Sequence, residues 1–175
     1  FVAIILPMPT IAQQSNVSVA DTLRYGQNET AGNFVNVNGI PLYYEVYGQG
    51  EPLLMIHGNG GSISSFENQI PYFARKFKVI AVDSRAQGKS VDLQDTLSFE
   101  MMADDFSVLL DKLKLDSCNV LGWSDGGING LLLAIRHPEK VKRLAITGAN
   151  LWPDSSAISA PDYMWGFNYY DTLGK

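Results

Sequence analysis

Gly122-Trp123-Ser124-Asp125-Gly126-Gly127 closes the apolar run Ser117 to Leu121 and opens a helix that continues through Leu131, Leu132 and Leu133. The order is strand, tight turn, helix. A serine held on such a turn sits in strained backbone, and the residues two before and two after it must be small to avoid collision. Gly122 and Gly126 meet that demand. The N-terminus of the following helix points backbone N–H groups and the positive end of its dipole at the serine, which stabilises an oxyanion. A bare G-x-S-x-G string arises by chance about 0.05 times in a chain of this length, so the flanking strand and helix carry the argument. They make Ser124 the candidate nucleophile.

Further apolar runs lie at Pro52 to Ile56, Lys78 to Val82 and Val141 to Thr147. The segments between them have helical spacing and are long enough for parallel crossovers. Phe34 to Val37 and Leu42 to Tyr47 flank the turn dipeptide Asn38-Gly39, which predicts an antiparallel hairpin at the start. The expected fold class is α/β: a mostly parallel sheet with an N-terminal antiparallel hairpin and helices on both faces. The stretch Ser98 to Leu115 places Phe99, Met102, Phe106, Leu109, Leu110 and Leu113 on one helical stripe, which reads as core. Its acids Glu100, Asp104, Asp105 and Asp111 read as a solvated face, because no histidine is near and the spacing gives no metal-ligand cluster.

With 175 residues, 46% hydrophobic and 18% charged, the chain can bury a sizeable core, which excludes disordered and collagen-like classes. A net charge of -5 without any basic run argues against nucleic acid or anionic lipid as partner and leaves a small molecule. Cys118 stands alone, so no internal disulfide forms, and its apolar surroundings suit a buried thiol. No metal and no organic cofactor are expected. Residues 1–12 are apolar and too short to span a bilayer, with Thr10 and Ala12 as small residues near the end. They read as a partial signal peptide, followed by a polar N-terminal tail over residues 13–33, and point to a secreted or periplasmic protein rather than a cytoplasmic one.

After Pro52 to Ile56 comes His57-Gly58-Asn59-Gly60-Gly61, a flexible loop able to approach a ligand closely. This loop, Asp83-Ser84-Arg85-Ala86-Gln87-Gly88-Lys89-Ser90 and the Gly-Trp-Ser-Asp-Gly-Gly turn together resemble the α/β-hydrolase superfamily. The resemblance covers residues 34–153. The run Leu121 to Asn150 looks most like the valacyclovir hydrolase branch, with carboxylesterases and lactonases close to it. It implies Ser124 as nucleophile, the backbone N–H groups of Asn59 and Asp125 as the oxyanion hole, and a pocket near Asp125, Trp123 and His57. The family order is nucleophile, acid, histidine. His57 precedes the nucleophile and belongs to the oxyanion loop, where the family uses it to hold loop geometry. His137 lies too far along the helix after Ser124 to reach it, given about 1.5 Å of rise per residue. The expectation is therefore a truncated chain: residues 154–175 begin a cap region, and the triad acid and histidine follow Lys175. The strand Val141 to Thr147 should then present an open edge. Asp83, Arg85, Gly88 and Ser90 are expected to brace the sheet.

The function so implied is hydrolysis of small esters or related acyl compounds through an acyl-enzyme on Ser124. Alternatives are an acyltransferase or perhydrolase on the same fold, a carbon–carbon bond hydrolase, and a non-catalytic ligand-binding protein. The Asp125 carboxylate has two readings: it lines the pocket and favours an ammonium group on the substrate, or it faces solvent or caps the new helix. Leaving group and oligomeric state stay open.

Overall fold

The computed structural model describes residues 24–94 and 96–149. The signal-peptide and cap-region expectations, over residues 1–12 and 154–175, lie outside them. The hairpin expected at the start is present: β1 (Gly32–Val37) and β2 (Ile40–Tyr47) pair antiparallel around Asn38-Gly39. Both turn residues have positive φ, 43° and 88°, as a two-residue hairpin turn of this kind requires. Four further strands follow, β3 (Glu51–Ile56), β4 (Phe77–Val82), β5 (Cys118–Trp123) and β6 (Val141–Thr147). The sheet order is β1-β2-β4-β3-β5-β6. β2 meets β4 antiparallel, and β4, β3, β5 and β6 are mutually parallel.

Helices cover both faces, unequally. On one face Leu54, Ile56, Ile80, Val82, Cys118 and Val120 pack beneath α2 (Phe99–Lys112) and α3 (Asp125–Arg136). The other face, with Leu53, Met55, Val79 and Ala81, is closed by a 3-10 turn at Ile63–Phe66 and the short α1 (Ile70–Phe73). Because β3 and β4 are central and covered on both sides, their last four residues are all buried. α2 begins where its cap dictates: the Ser98 hydroxyl accepts the Met101 N–H at 3.2 Å.

Two expectations about polar segments change. Asp105 belongs to no solvated face; it is fully buried. It lies three residues after Met102 and four before Leu109, on the core stripe itself. Its charge is matched by Arg85, whose Nε and Nη2 donate to it at 2.6 and 2.8 Å. Asn38 Nδ2 adds a third bond at 2.9 Å, and Arg85 also donates to Asp92 and to the Asn38 carbonyl. Arg85 thus ties the hairpin turn, the loop after β4 and α2 together, the bracing role expected of it. Residues 24–33, read as part of a polar tail, are docked. The N–H groups of Gly26 and Asn28 donate at 2.8 and 2.9 Å to Glu45, a buried carboxylate that also accepts from the hydroxyls of Tyr43 and Tyr47. A charge buried in β2 demands donors, and this segment supplies half of them.

Among the described residues β1 and β6 are the two edge strands of the sheet. No helix of the described residues is long and apolar enough to cross a membrane.

Candidate active site

The four parallel strands all end on one side of the sheet, so the loops His57–Gly61, Asp83–Ser90 and Gly148–Ala149 gather there around Ser124. Ser124 stands between the last residue of β5 and the first of α3 at φ 54° and ψ -123°. That conformation is costly for a residue with a side chain and persists only where its surroundings enforce it. They do. The Ser124 N–H donates to the Thr147 carbonyl at 2.8 Å, and the Ser124 carbonyl accepts the N–H of Gly127 at 2.8 Å and of Ile128 at 3.3 Å.

The glycines around it answer to definite atoms. A Cβ on Gly122 would lie 2.6 Å from the Gly126 carbonyl carbon, and one on Gly126 would lie 2.5 Å from that of Ile56. One on Gly127 would meet Ala149 Cβ at 2.7 Å. Real Cβ atoms do not approach backbone so closely, so β5, α3 and the end of β3 fit together only because these positions are bare. Gly58 also lies directly against Ser124: a Cβ there would be 3.0 Å from Ser124 Cβ. The loop carrying Asn59 is therefore beside the serine.

Asn59 is exposed, Ser124 half-buried and Asp125 largely buried as the first residue of α3. Asp125 is only 9% exposed and so does not face solvent; as the first residue of α3 it stands where an acid complements the helix dipole. Trp123 is 46% exposed and its ring runs beside Gly58 and Gly148. The structure thus gathers Ser124, Asp125, Trp123 and the Asn59 loop at one place. Among the described residues no side chain hydrogen-bonds the Ser124 hydroxyl.

His57 sits differently from a pocket wall. Its ring is buried under the loop, with Nε2 accepting the Ser84 N–H at 3.1 Å and Nδ1 2.8 Å from the Gly58 carbonyl. Nε2 as acceptor leaves the proton on Nδ1, which donates to Gly58. Burial lowers the pKa, which keeps the ring neutral. Both nitrogens are committed, so neither takes a proton from Ser124. His137 caps the C-terminus of α3, with Nε2 2.7 Å from Asp104, and stands at the opposite end of that 12-residue helix from the serine. The separation is about 20 Å along the axis. No group of three His, Cys, Asp or Glu residues that could hold a metal occurs among the described residues.

Asp83 and Ser84, after β4, do more here than the sequence suggested. The Asp83 carboxylate accepts the N–H of Ile63 and of Lys89, each at 2.8 Å. Burial pushes its pKa up. The one available signal was the position of Asp83 directly after an apolar strand.

A parallel sheet with an antiparallel entry, a strained serine where strand turns into helix, and a glycine loop against that serine together define the α/β-hydrolase fold. The chain belongs to the alpha/beta hydrolase fold family, whose model matches residues 51–175. It is 35% identical over 146 residues to the 2-hydroxymuconate semialdehyde hydrolase of Pseudomonas sp. strain CF600, covering 78% of this chain and 50% of that protein. To the serine hydrolase BPHL of Homo sapiens it is 34% identical over 134 residues, covering 73% and 46%. The crystal structure of a hydrolase from Pseudomonas aeruginosa PA01 superposes with a TM-score of 0.71 at 25% identity, over 85% of this chain and 55% of that one. The chain therefore spans about half the length of the curated relatives it matches.

Proposed function

We propose that this chain carries the nucleophile and the oxyanion hole of a serine hydrolase acting on small esters or related acyl compounds. The observation behind the reading is Ser124 itself, held at φ 54° inside a turn that admits no additional atom. Its Oγ attacks the acyl carbonyl carbon and its proton passes to a base. The N–H groups of Asn59 and Asp125 hold the oxyanion, assisted by the positive end of α3. Collapse breaks the bond to the leaving group, which takes the proton back from the base, and water then releases the acid from Ser124. Neither His57 nor His137 has the geometry of that base, and the family order puts it C-terminal to the serine.

Trp123 is exposed beside Ser124, so an apolar group on the ligand suits the site, and the paired α-amino and des-amino esters below test whether Asp125 adds a preference for a cationic one. Net charge -5 supports a small-molecule partner over nucleic acid. The apolar residues 1–12 support export, which N-terminal sequencing of the mature protein tests: an intact start at residue 1 or upstream refutes it.

The test of the main reading is fluorophosphonate labelling of the whole gene product, with turnover of an ester, a lactone and a matched pair of α-amino and des-amino esters. Labelling at Ser124 that disappears in Ser124→Ala, together with turnover, is expected. Undiminished labelling or turnover in Ser124→Ala sinks the reading. The likeness to a semialdehyde hydrolase favours adding 2-hydroxymuconate semialdehyde to the panel, and its exclusive turnover would replace the ester assignment.

A further inference from the structure

We propose that the Asp83-Ser84 dipeptide positions the oxyanion hole by gripping the loop from His57 to Ile63 at both ends. This rests on the reading that the Asn59 N–H is an oxyanion donor.

Three of the five residues His57 to Gly61 are glycine, and Gly60 adopts φ 67°. Such backbone has little stiffness of its own. The direction of the Asn59 N–H must come from hydrogen bonds. In a planar trans peptide the carbonyl and the following N–H point opposite ways. The Gly58 carbonyl is held by two donors, His57 Nδ1 at 2.8 Å and the Gly61 N–H at 3.1 Å. With that oxygen turned to the buried ring, the Asn59 N–H faces the open side of the loop.

In the neutral ring one nitrogen donates and the other accepts, and the Ser84 N–H, by donating to His57 Nε2, selects the tautomer with the proton on Nδ1. This is the grip at the start of the loop. At its end, the Asp83 carboxylate takes the Ile63 N–H, a charge-assisted bond to a buried donor. The second carboxylate oxygen is anchored on the Lys89 N–H. Gly88 lies against the same carboxyl group: a Cβ there would come within 2.6 Å of Asp83 Oδ1. Two consecutive residues of one strand end therefore hold a loop that begins 26 residues earlier.

The experiment compares Asp83→Asn and Gly88→Ala with Ser124→Ala and a structural control, Glu45→Gln, in the whole gene product. Asparagine presents an N–H to one of the two backbone donors, and the Gly88 variant displaces an unaltered carboxylate. Below each variant's melting temperature, kcat of both loop variants should fall about 10²-fold, the scale of one lost oxyanion donor. KM should stay within about twofold, and affinity for a trifluoromethyl ketone transition-state analogue should fall with kcat. Amide exchange at Asn59 to Ile63 should accelerate in both. Glu45→Gln should lose stability and keep kcat. If a folded Asp83→Asn or Gly88→Ala keeps the parent kcat while Ser124→Ala is dead, the positioning role is wrong and the nucleophile stands. If Ser124→Ala turns over, the underlying reading has failed instead.

Discussion

Asp104 and Asp105 are neighbours on α2 with opposite surroundings, and alanine at each separates a buried ion pair from a surface one. Asp105→Ala removes the two bonds of 2.6 and 2.8 Å that Arg85 makes to it and strands the Asn38 amide. Arg85 is only 1% exposed, so its charge stays in the core with Asp92 and one carbonyl as partners. Breaking a buried pair from one side costs about 3–5 kcal/mol, because the remaining charge is left under-compensated. Asp92 persists, so the low end applies, about 3 kcal/mol. For a domain of this size that lowers Tm by about 6–12 °C. Asp104 pairs with Arg136 and His137 where all three side chains meet solvent, and screening makes its loss a small fraction of this. The assay is urea denaturation followed by far-UV circular dichroism, comparing midpoints at equal m-values. An Asp105→Ala protein within about 1 kcal/mol of its parent, or one no worse than Asp104→Ala, would refute the reasoning.

Gly126→Ala should prevent the strand-to-helix turn from closing, since its Cβ would meet the Ile56 backbone; a cost above about 2 kcal/mol and loss of serine labelling are expected, and a labelled, stable variant contradicts it. Ala86 holds φ 60°, where a side chain costs about 1–2 kcal/mol, so Ala86→Gly should leave Tm unchanged or raise it after the added chain entropy is offset. A clear fall in Tm would count against strain there. The Cys118 thiol is pushed up to about 11 by burial, so iodoacetamide at pH 8 should leave the native protein unmodified and alkylate it in urea. Rapid native-state alkylation would show the thiol to be accessible.

The strands were legible because apolar runs between turn residues leave few alternatives, and β6 spans Val141 to Thr147 as read. β5 extends two residues beyond its apolar run, since Gly122 and Trp123 still pair with Ile146 and Thr147. Trp123 suits a strand, but Gly122 ahead of it reads as a break in the run. Of the four acids of α2, only Asp105 departs from the solvated face, and for a related reason. Helical spacing put Asp105 on the buried stripe, but its ionic character pointed outward until Arg85, twenty residues earlier, was seen beside it. Likewise, residues 24–33 looked unattached because the carboxylate that holds Gly26 and Asn28 lies on another strand.

Ser124 and its glycines are determined by the sequence alone, because the steric rules of a strand-to-helix turn act over five consecutive residues. The hairpin at Asn38-Gly39 is local in the same way. What surrounds Ser124 is decided by tertiary structure. The sheet order sets β3 between β4 and β5, which brings Gly58 against the serine and Ser84 against His57. Only that juxtaposition shows His57 to be a neutral hydrogen-bonding brace, since a histidine's role depends on which donor meets which nitrogen. Those contacts join segments more than twenty residues apart, and no local periodicity encodes them.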